Sequence, residues 1–177
     1  HTCVAYDNGD VACAGRNQQG QLGTGQYAQK SSLTATQSLG QPALKVVAGE
    51  YFSCALLNNG SVRCWGDNGY GQFGINTNID SNSPASSVHF ETGSFAVDLT
   101  SGLQHVCARL ANGSMTCWGR NYLGQLGIGK HHTCVAYDNG DVACAGRNQQ
   151  GQLGTGQYAQ KSSLTATQSL GQPALKV

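Results

Sequence analysis

Residues 105–127 read HVCARLANGSMTCWGRNYLGQLG, a pair of cysteines followed by a glycine-rich tail. Versions of this stretch begin at residues 1, 52 and 132, and each tail ends in Gly-Gln-Leu-Gly or Gly-Gln-Phe-Gly. The first cysteines of the four versions stand at positions 3, 54, 107 and 134, so the steps between them are 51, 53 and 27 residues. A recurring step of about 50 residues indicates a tandem-repeat protein.

The repeats differ in how closely they match one another. Residues 132–177 copy residues 1–46 letter for letter, although a core tolerates swaps between hydrophobic residues of similar volume. We therefore expect a single array over residues 1–177, with repeats at about 1–48, 49–101, 102–131 and 132–177. The third repeat is about 25 residues shorter than the two before it, which predicts that a stretch is absent between about Gly127 and Lys130.

All eight cysteines fall in pairs with nine residues between the members: Cys3/Cys13, Cys54/Cys64, Cys107/Cys117 and Cys134/Cys144. Each pair encloses a glycine, Gly9 in the first, where a three-residue hairpin loop needs a left-handed residue. That loop places Cys3 opposite Cys13. If Tyr6 and Asp10 form the hydrogen-bonded closing pair, the cysteines form a non-hydrogen-bonded pair with Cα atoms about 4.5 Å apart, which a disulfide accepts.

This register predicts four disulfides, one within each hairpin. Disulfides persist in oxidising compartments, so we expect the protein to be extracellular or at the cell surface. The alternative is four pairs of reduced, buried cysteines. The spacing does not fit structural zinc, whose cysteine ligands usually stand about two to four residues apart.

The composition argues against nucleic-acid binding and against a membrane-spanning segment. Only 11% of the residues are charged, and ten basic residues are balanced by nine acidic ones. No basic cluster of the kind that binds nucleic acid is present, and no run reaches the roughly 18 apolar residues of a membrane span. We expect neither nucleic acid nor a membrane-spanning segment.

The chain reads as turn-rich β structure, with 25 glycines and no helical periodicity. In the second repeat we expect a hairpin of Ser53–Leu57 and Ser61–Trp65, followed by weaker strands near Ser86–Phe90 and Phe95–Leu99. In the first repeat the weaker strands lie near Leu33–Thr36 and Ala43–Ala48. About four short antiparallel strands per repeat at this period predict an all-β fold of propeller-type blades.

The third repeat carries the residues that suggest a family. The matching positions are His105, Cys107, Gly113, Cys117-Trp118-Gly119, Asn121 and Gly124-Gln125-Leu126-Gly127. They resemble the repeat of the regulator of chromosome condensation family, including its cysteine-rich secreted members. The resemblance implies a propeller, usually of seven blades. The founding member of that family exchanges the nucleotide of the small GTPase Ran and binds chromatin, and other members bind proteins.

The chain departs from that family in three respects. Ala14 and Ala145 replace the tryptophan found at positions 65 and 118, which predicts less apolar burial at those hairpins. The predicted disulfides argue against a nuclear location, so we do not expect this chain to have the nucleotide-exchange activity of the founding member. About three and a half blades are too few to close a seven-bladed ring, so we expect an open or incomplete propeller with exposed ends.

Other motifs have simple structural explanations. Residues 20–25 (GQLGTG) lack the lysine and helix of a phosphate-binding loop, and residues 7–10 (DNGD) lack the ligand ladder of a calcium loop. His131, His132 and His105 could suggest a metal, but local packing explains them better. We expect no catalytic residue, metal site or cofactor, and no enzyme activity. Asn59 and Asn112 begin Asn-Gly-Ser sequons on turns and are candidate glycosylation sites.

The sequence supports two functional hypotheses. The first is a structural repeat protein, an extracellular disulfide-stapled blade array that associates head to tail into a filament or surface appendage. Contacts of that kind produce open polymers when they do not close. The alternative is a fragment of a secreted propeller that binds a partner protein or a glycan through its rim loops.

Overall fold

The computed structural model describes residues 1–88, 90, 93–122 and 126, together with the strands 132–136, 142–146 and 161–166. The chain divides into two compact units, His1–Gly119 and Arg120–Val177. The stretch predicted to be absent near Gly127 lies outside the described residues. So do His131 and the side chains of His132, Cys134 and Ala145.

The first unit contains three antiparallel sheets, in the orders β1-β2-β3, β4-β5-β6 and β7-β8-β9. Their strands are β1 (Thr2–Ala5), β2 (Val11–Gly15), β3 (Lys30–Ala35), β4 (Ala43–Ala48), β5 (Phe52–Leu57), β6 (Val62–Gly66), β7 (Ala96–Ser101), β8 (His105–Leu110) and β9 (Met115–Gly119). The described part of the chain contains no helix that could cross a membrane. The predicted all-β architecture is confirmed.

The second unit contains one antiparallel sheet in the order β10-β11-β12. Its strands are β10 (His132–Ala136), β11 (Val142–Gly146) and β12 (Lys161–Ala166). Their pairing repeats that of β1, β2 and β3, as expected for identical sequences: β12 meets β11 with the same register shift that β3 shows against β2.

Each hairpin has the register that the sequence predicts. Cys3 faces Cys13, Val4 faces Ala12 and Ala5 faces Val11. The turn is closed by the Tyr6 amide, which donates to the Asp10 carbonyl at 2.9 Å. Gly9 has a φ of 86°, the left-handed conformation that the loop requires.

The sheets cross the boundaries of the sequence repeats. We expected Ala43–Ala48 to complete the first repeat, but as β4 it pairs with β5, the first strand of the next hairpin. In the same way β7 pairs with β8. The sequence marks these segments as strands but carries no local signal for the hairpin they join.

The fourth segment beside β6 is irregular. Residues 81–88 run along β6 with one isolated bridge, Gly66 to Ser81, in place of the strand predicted near Ser86–Phe90. The Ala85 amide donates to the Cys64 carbonyl at 2.9 Å, and the Val88 amide donates to the Val62 carbonyl at 2.8 Å. Pro84 cannot donate a hydrogen bond to a ladder, which explains why this segment is irregular while its counterpart β3 is a strand.

The core lies between successive sheets. All six residues of β5 are buried. Phe52, Cys54 and Leu56 belong to one apolar cluster, shared with the third sheet. Ala55 and Leu57 belong to another, shared with the first sheet. Since alternate side chains of a strand point to opposite faces, β5 is covered on both sides.

Candidate functional site: the hairpin turns and the junctions behind them

The glycine-rich tails are organised by buried asparagines. The Asn17 side chain accepts a hydrogen bond from the Leu22 amide at 2.9 Å and donates to the Gln26 and Ala28 carbonyls. Asn68 does the same in the second tail, accepting from the Phe73 amide at 2.8 Å. The side chain replaces backbone partners that an irregular buried loop would otherwise lack.

In the second and third sheets a tryptophan docks on the preceding tail. The Trp65 indole donates to the Gln21 carbonyl at 2.9 Å. A Cβ atom on Gly23 would lie 2.8 Å from that indole nitrogen, so only glycine fits there. We call this contact between Trp65, Gln21 and Gly23 the indole lock.

The same lock recurs at the next junction. The Trp118 indole donates to the Gln72 carbonyl at 2.7 Å, and a Cβ on Gly74 would lie 3.0 Å from the indole. Gly23 and Gly74 also have positive φ angles of 69° and 66°. The lock therefore gives the glycines at positions 23 and 74 a structural role opposite Trp65 and Trp118.

Two tail glutamines have different surroundings. The Gln72 side chain accepts from the Tyr70 amide and donates to the Asp67 carboxylate at 2.6 Å. The Gln21 side chain accepts from the Gln19 amide, but its buried amide nitrogen has no partner among the described residues. The position of Asp67 is occupied in the first repeat by Arg16, another donor.

The histidines before the cysteines make two kinds of contact, because His1 reaches the next sheet and His105 packs on a nearby glycine. His1 lies 2.9 Å from the buried Ser53 hydroxyl, which itself donates to the Gln21 carbonyl. A Cβ on Gly102 would lie 2.2 Å from the His105 ring, so that ring packs on the glycine.

Three of the predicted disulfides are present among the described residues. They join Cys3 to Cys13, Cys54 to Cys64 and Cys107 to Cys117, with Cα atoms 4.0–4.1 Å apart. In the second unit Cys144 is also disulfide-bonded, and Cys134 faces it in the strand register.

The hairpin turns form an exposed rim of short polar loops. The Asn59 side chain accepts from the Ser61 amide at 3.0 Å and from the Ser61 hydroxyl at 2.7 Å. Asn112 and Ser114 repeat this pair of bonds in the third hairpin. In the first turn the Asn8 side chain bonds to Asp10, so these residues stabilise the turn itself.

The chain entering the next sheet covers the first two turns. A Cβ on Gly9 would lie 2.3 Å from the Pro42 Cβ, and one on Gly60 would lie 2.5 Å from the Phe95 Cβ. A cavity of about 370 Å³ lies between the first turn and residues 35–42. The third turn differs, since a Cβ on Gly113 would meet no atom of the described part of the chain within 4 Å.

Comparison with known families supports the assignment suggested by these locks and tails. The Regulator of chromosome condensation (RCC1) repeat matches residues 8–56 and 59–109, more than half of the chain. A second family model for the RCC1 repeat matches residues 44–72 and 96–125. The chain belongs to the RCC1-repeat family.

Curated relatives share the repeats over part of their length. The chain is 34% identical over 143 residues to a bifunctional serine/threonine-protein kinase/NEDD4-like E3 ubiquitin-protein ligase of Dictyostelium discoideum, covering 72% of this chain and 8% of the relative. It is 30% identical over 130 residues to the ultraviolet-B receptor UVR8 of Arabidopsis thaliana, covering 73% of this chain and 29% of the relative. The chain thus spans less than a third of either protein.

Solved structures of RCC1-type proteins share the fold. Human WBSCR16 matches with a TM-score of 0.81 at 20% identity, covering 95% of this chain and 50% of that one. Prp20p of Saccharomyces cerevisiae, which binds Gsp1p and histones, matches with a TM-score of 0.75 at 20% identity, covering 93% of this chain and 47% of that one. These matches show propeller-type blades.

The second and third sheets are also joined between their first strands, β4 and β7. Lys45 of β4 and Asp98 of β7 form an ion pair at 2.8 Å, with both side chains about half exposed. Burial alone would raise the pKa of Asp98. The hydrogen bonds from Lys45 and the Leu99 amide, with the charges of Lys45 and Arg109, outweigh it and lower that pKa below the ordinary value.

Proposed function

We propose that the chain is a non-enzymatic, disulfide-stapled array of RCC1 blades that binds a partner protein outside the cell. The observation that carries the proposal is the recurrence of the indole lock at 2.9 and 2.7 Å in hairpins whose turns differ in sequence. Recognition residues are commonly found on loops held by a rigid scaffold. The three turns of the first unit fit that description.

Related proteins support protein binding as the general role. Prp20p binds Gsp1p and histones, and a structure of Kap60 bound to yeast RCC1 is also similar to this chain. The kinase and ligase activities in the name of the Dictyostelium relative belong to a protein of which this chain covers 8%. We therefore do not extend those activities to this chain.

Substitution on the rim tests the role of the turns. We expect a double variant, Asp7→Lys with Asn58→Lys, to lose any partner cross-linked to the wild-type chain from an extracellular extract, because both side chains are exposed on turns. Ser32→Lys on the exposed face of β3 is the matched control and should keep the partner. Equal capture by all three chains would contradict binding at the rim.

Oxidised hairpins support the extracellular location. Three disulfides occur among the described cysteines, and such bonds are rare in reducing compartments. We expect chain purified from its native source to react with no thiol reagent until a reductant is added, as measured by intact mass. Alkylation of eight cysteines without reductant would contradict the proposed location.

Head-to-tail self-association into a filament or surface appendage is a second candidate function. The letter-for-letter identity of residues 1–46 and 132–177 favours it, because a repeated surface can form the same contact many times. Electron microscopy of the purified chain at increasing concentration tests this proposal. Growing polymers are expected, and particles of constant size would contradict it.

A further inference from the structure

We propose that the outer edge of β9 binds an extended segment of a partner protein by strand addition. We call the backbone of Met115, Thr116 and Cys117 at this edge the acceptor edge. The inference rests on the proposed protein-binding function and deepens it, because it names a surface and the kind of segment that fits.

The corresponding edges of the two preceding sheets are already used in this way. β3 pairs along β2, and residues 81–88 line β6. There the Ala85 and Val88 amides donate to the Cys64 and Val62 carbonyls. Val88 is buried and belongs to the apolar cluster shared with the third sheet.

The acceptor edge offers the same carbonyls. Met115 and Cys117 face Arg109 and Cys107 across the hairpin, just as Val62 and Cys64 face Leu56 and Cys54. In antiparallel pairs alternate residues direct their N–H and C=O groups away from the partner strand. No hydrogen bond to the outer side of β9 occurs among the residues that the structure describes, and an unpaired edge is a template for another strand.

The sequence explains why the third sheet differs. Residues 75–104 separate Gly74 from the hairpin that begins at His105, and they include the segment that lines β6. Only residues 128–131 separate Gly127 from the hairpin that begins at His132. The third repeat therefore has no counterpart of residues 81–88.

A cavity lies beside the acceptor edge. It measures about 280 Å³, and Phe90, Leu110 and Met115 supply its apolar wall. In the second sheet the equivalent turn glycine, Gly60, packs against Phe95, whereas no described residue lies within 4 Å of a Cβ position on Gly113. The cavity offers room for an apolar side chain such as the one Val88 contributes at β6.

These features define the segment that would bind. It is extended and uncharged, with a small residue followed three positions later by a β-branched apolar one, as in Ser-Asn-Ser-Pro-Ala-Ser-Ser-Val of residues 81–88. The two backbone amides at those positions would donate to the Cys117 and Met115 carbonyls. Main-chain bonds would supply affinity and the cavity would supply specificity, as in known cases of strand addition.

The experiment measures binding of a fluorescent peptide of residues 81–88 to the 177-residue chain by anisotropy. We expect saturable binding that weakens at least tenfold when the amides corresponding to Ala85 and Val88 are N-methylated, since that change removes both donors and places a methyl group against the acceptor edge. Met115→Asp should weaken binding similarly, with near-ultraviolet circular dichroism confirming its fold. Leu44→Asp, at an exposed apolar residue of β4, is the matched control and should bind normally.

Several outcomes would overturn the proposal. One is no binding, and another is equal binding of the methylated peptide. A third is a dimer of the chain that the peptide dissociates, because the edge would then serve a second copy. Loss of a partner in the Asp7→Lys/Asn58→Lys variant, but not in Met115→Asp, would overturn the acceptor edge while leaving the proposed function intact.

Discussion

Gln21 and Gln72 occupy the same position in consecutive tails. A difference at one neighbouring residue decides whether the side-chain amide nitrogen is hydrogen-bonded to a carboxylate. The Gln72 amide nitrogen bonds to the Asp67 carboxylate, whereas the buried Gln21 amide nitrogen has no hydrogen-bond partner among the residues that the structure describes. Arg16, which replaces the carboxylate, turns outward to Gln18 and lies 4.8 Å from the centre of the Tyr51 ring. A buried unsatisfied donor costs about 1–3 kcal/mol, so the first tail is the weaker of the two.

The first prediction concerns this difference. Asp67→Ala should lower the free energy of unfolding by about 1–3 kcal/mol, because it leaves the Gln72 amide in the state of Gln21. Chemical denaturation of the oxidised chain measures the effect. Arg16→Ala is the control and should lower stability by less than about 1 kcal/mol, the contribution of an exposed cation–π contact. Equal losses in the two variants would contradict the argument.

A second prediction follows from the ion pair between β4 and β7. The pKa of Asp98 is lowered in the folded chain. The ionised Asp98 carboxylate therefore stabilises the fold at pH values above its ordinary pKa of 3.8, and this stabilisation is lost as the pH falls through the pKa of the folded state. Melting temperatures should therefore fall less steeply with acidification in Asp98→Asn than in the wild type. Identical slopes below about pH 4 would show that the pair contributes nothing, as for many exposed pairs.

At the scale of the element, the indole lock joins the first two glycine-rich tails to the sheets that follow them. Gly23→Ala should destabilise the chain by about 1–3 kcal/mol, because a side chain there is strained at positive φ and would meet the Trp65 indole. Gly69→Ala is the matched control in the second tail, with only the Asp67 carboxylate 3.4 Å from its Cβ position. Thermal unfolding of both variants tests the prediction, and a neutral Gly23→Ala would refute it.

The hairpins could be predicted from sequence because their signals are local. Gly9 and the cysteine spacing together define one register, and the structure has that register. The partner of Ala43–Ala48 could not be predicted, because a strand's sequence does not record which hairpin lies beside it. Asn17 and Asn68 were missed as loop organisers, although each stands four residues after a cysteine and that constant offset is a usable signal.

The indole locks were predicted only in part from the sequence. Loss of apolar burial was expected where Ala14 replaces tryptophan, but the hydrogen bond from Trp65 to the Gln21 carbonyl was not. The two residues are 44 positions apart, and only folding reveals that the tail passes under the next sheet. A recurring tryptophan and a recurring glycine tail indicate contact only when the sheet order is known.

At the scale of the whole molecule, the two sequons are exposed at turns. Secretion from a eukaryotic host should add glycan to Asn59 and Asn112, visible as two mass steps that an amide-cleaving glycosidase removes. Ser61→Ala and Ser114→Ala should each remove one step, because the hydroxyl completes the sequon. Asn8, which is followed by Gly-Asp, is the internal control and should stay unmodified. A single mass in the secreted wild type would contradict this prediction.

The strand β5 has its odd and even residues in two different apolar clusters. Local unfolding of β5 would remove the apolar contacts of both clusters at once. We therefore expect the neighbouring blades to unfold together. In repeat proteins stability is largely a sum of nearest-neighbour terms, and shared strands of this kind set the size of the cooperative unit. Hydrogen exchange should therefore report one common opening event for the amides of β4, β5 and β6.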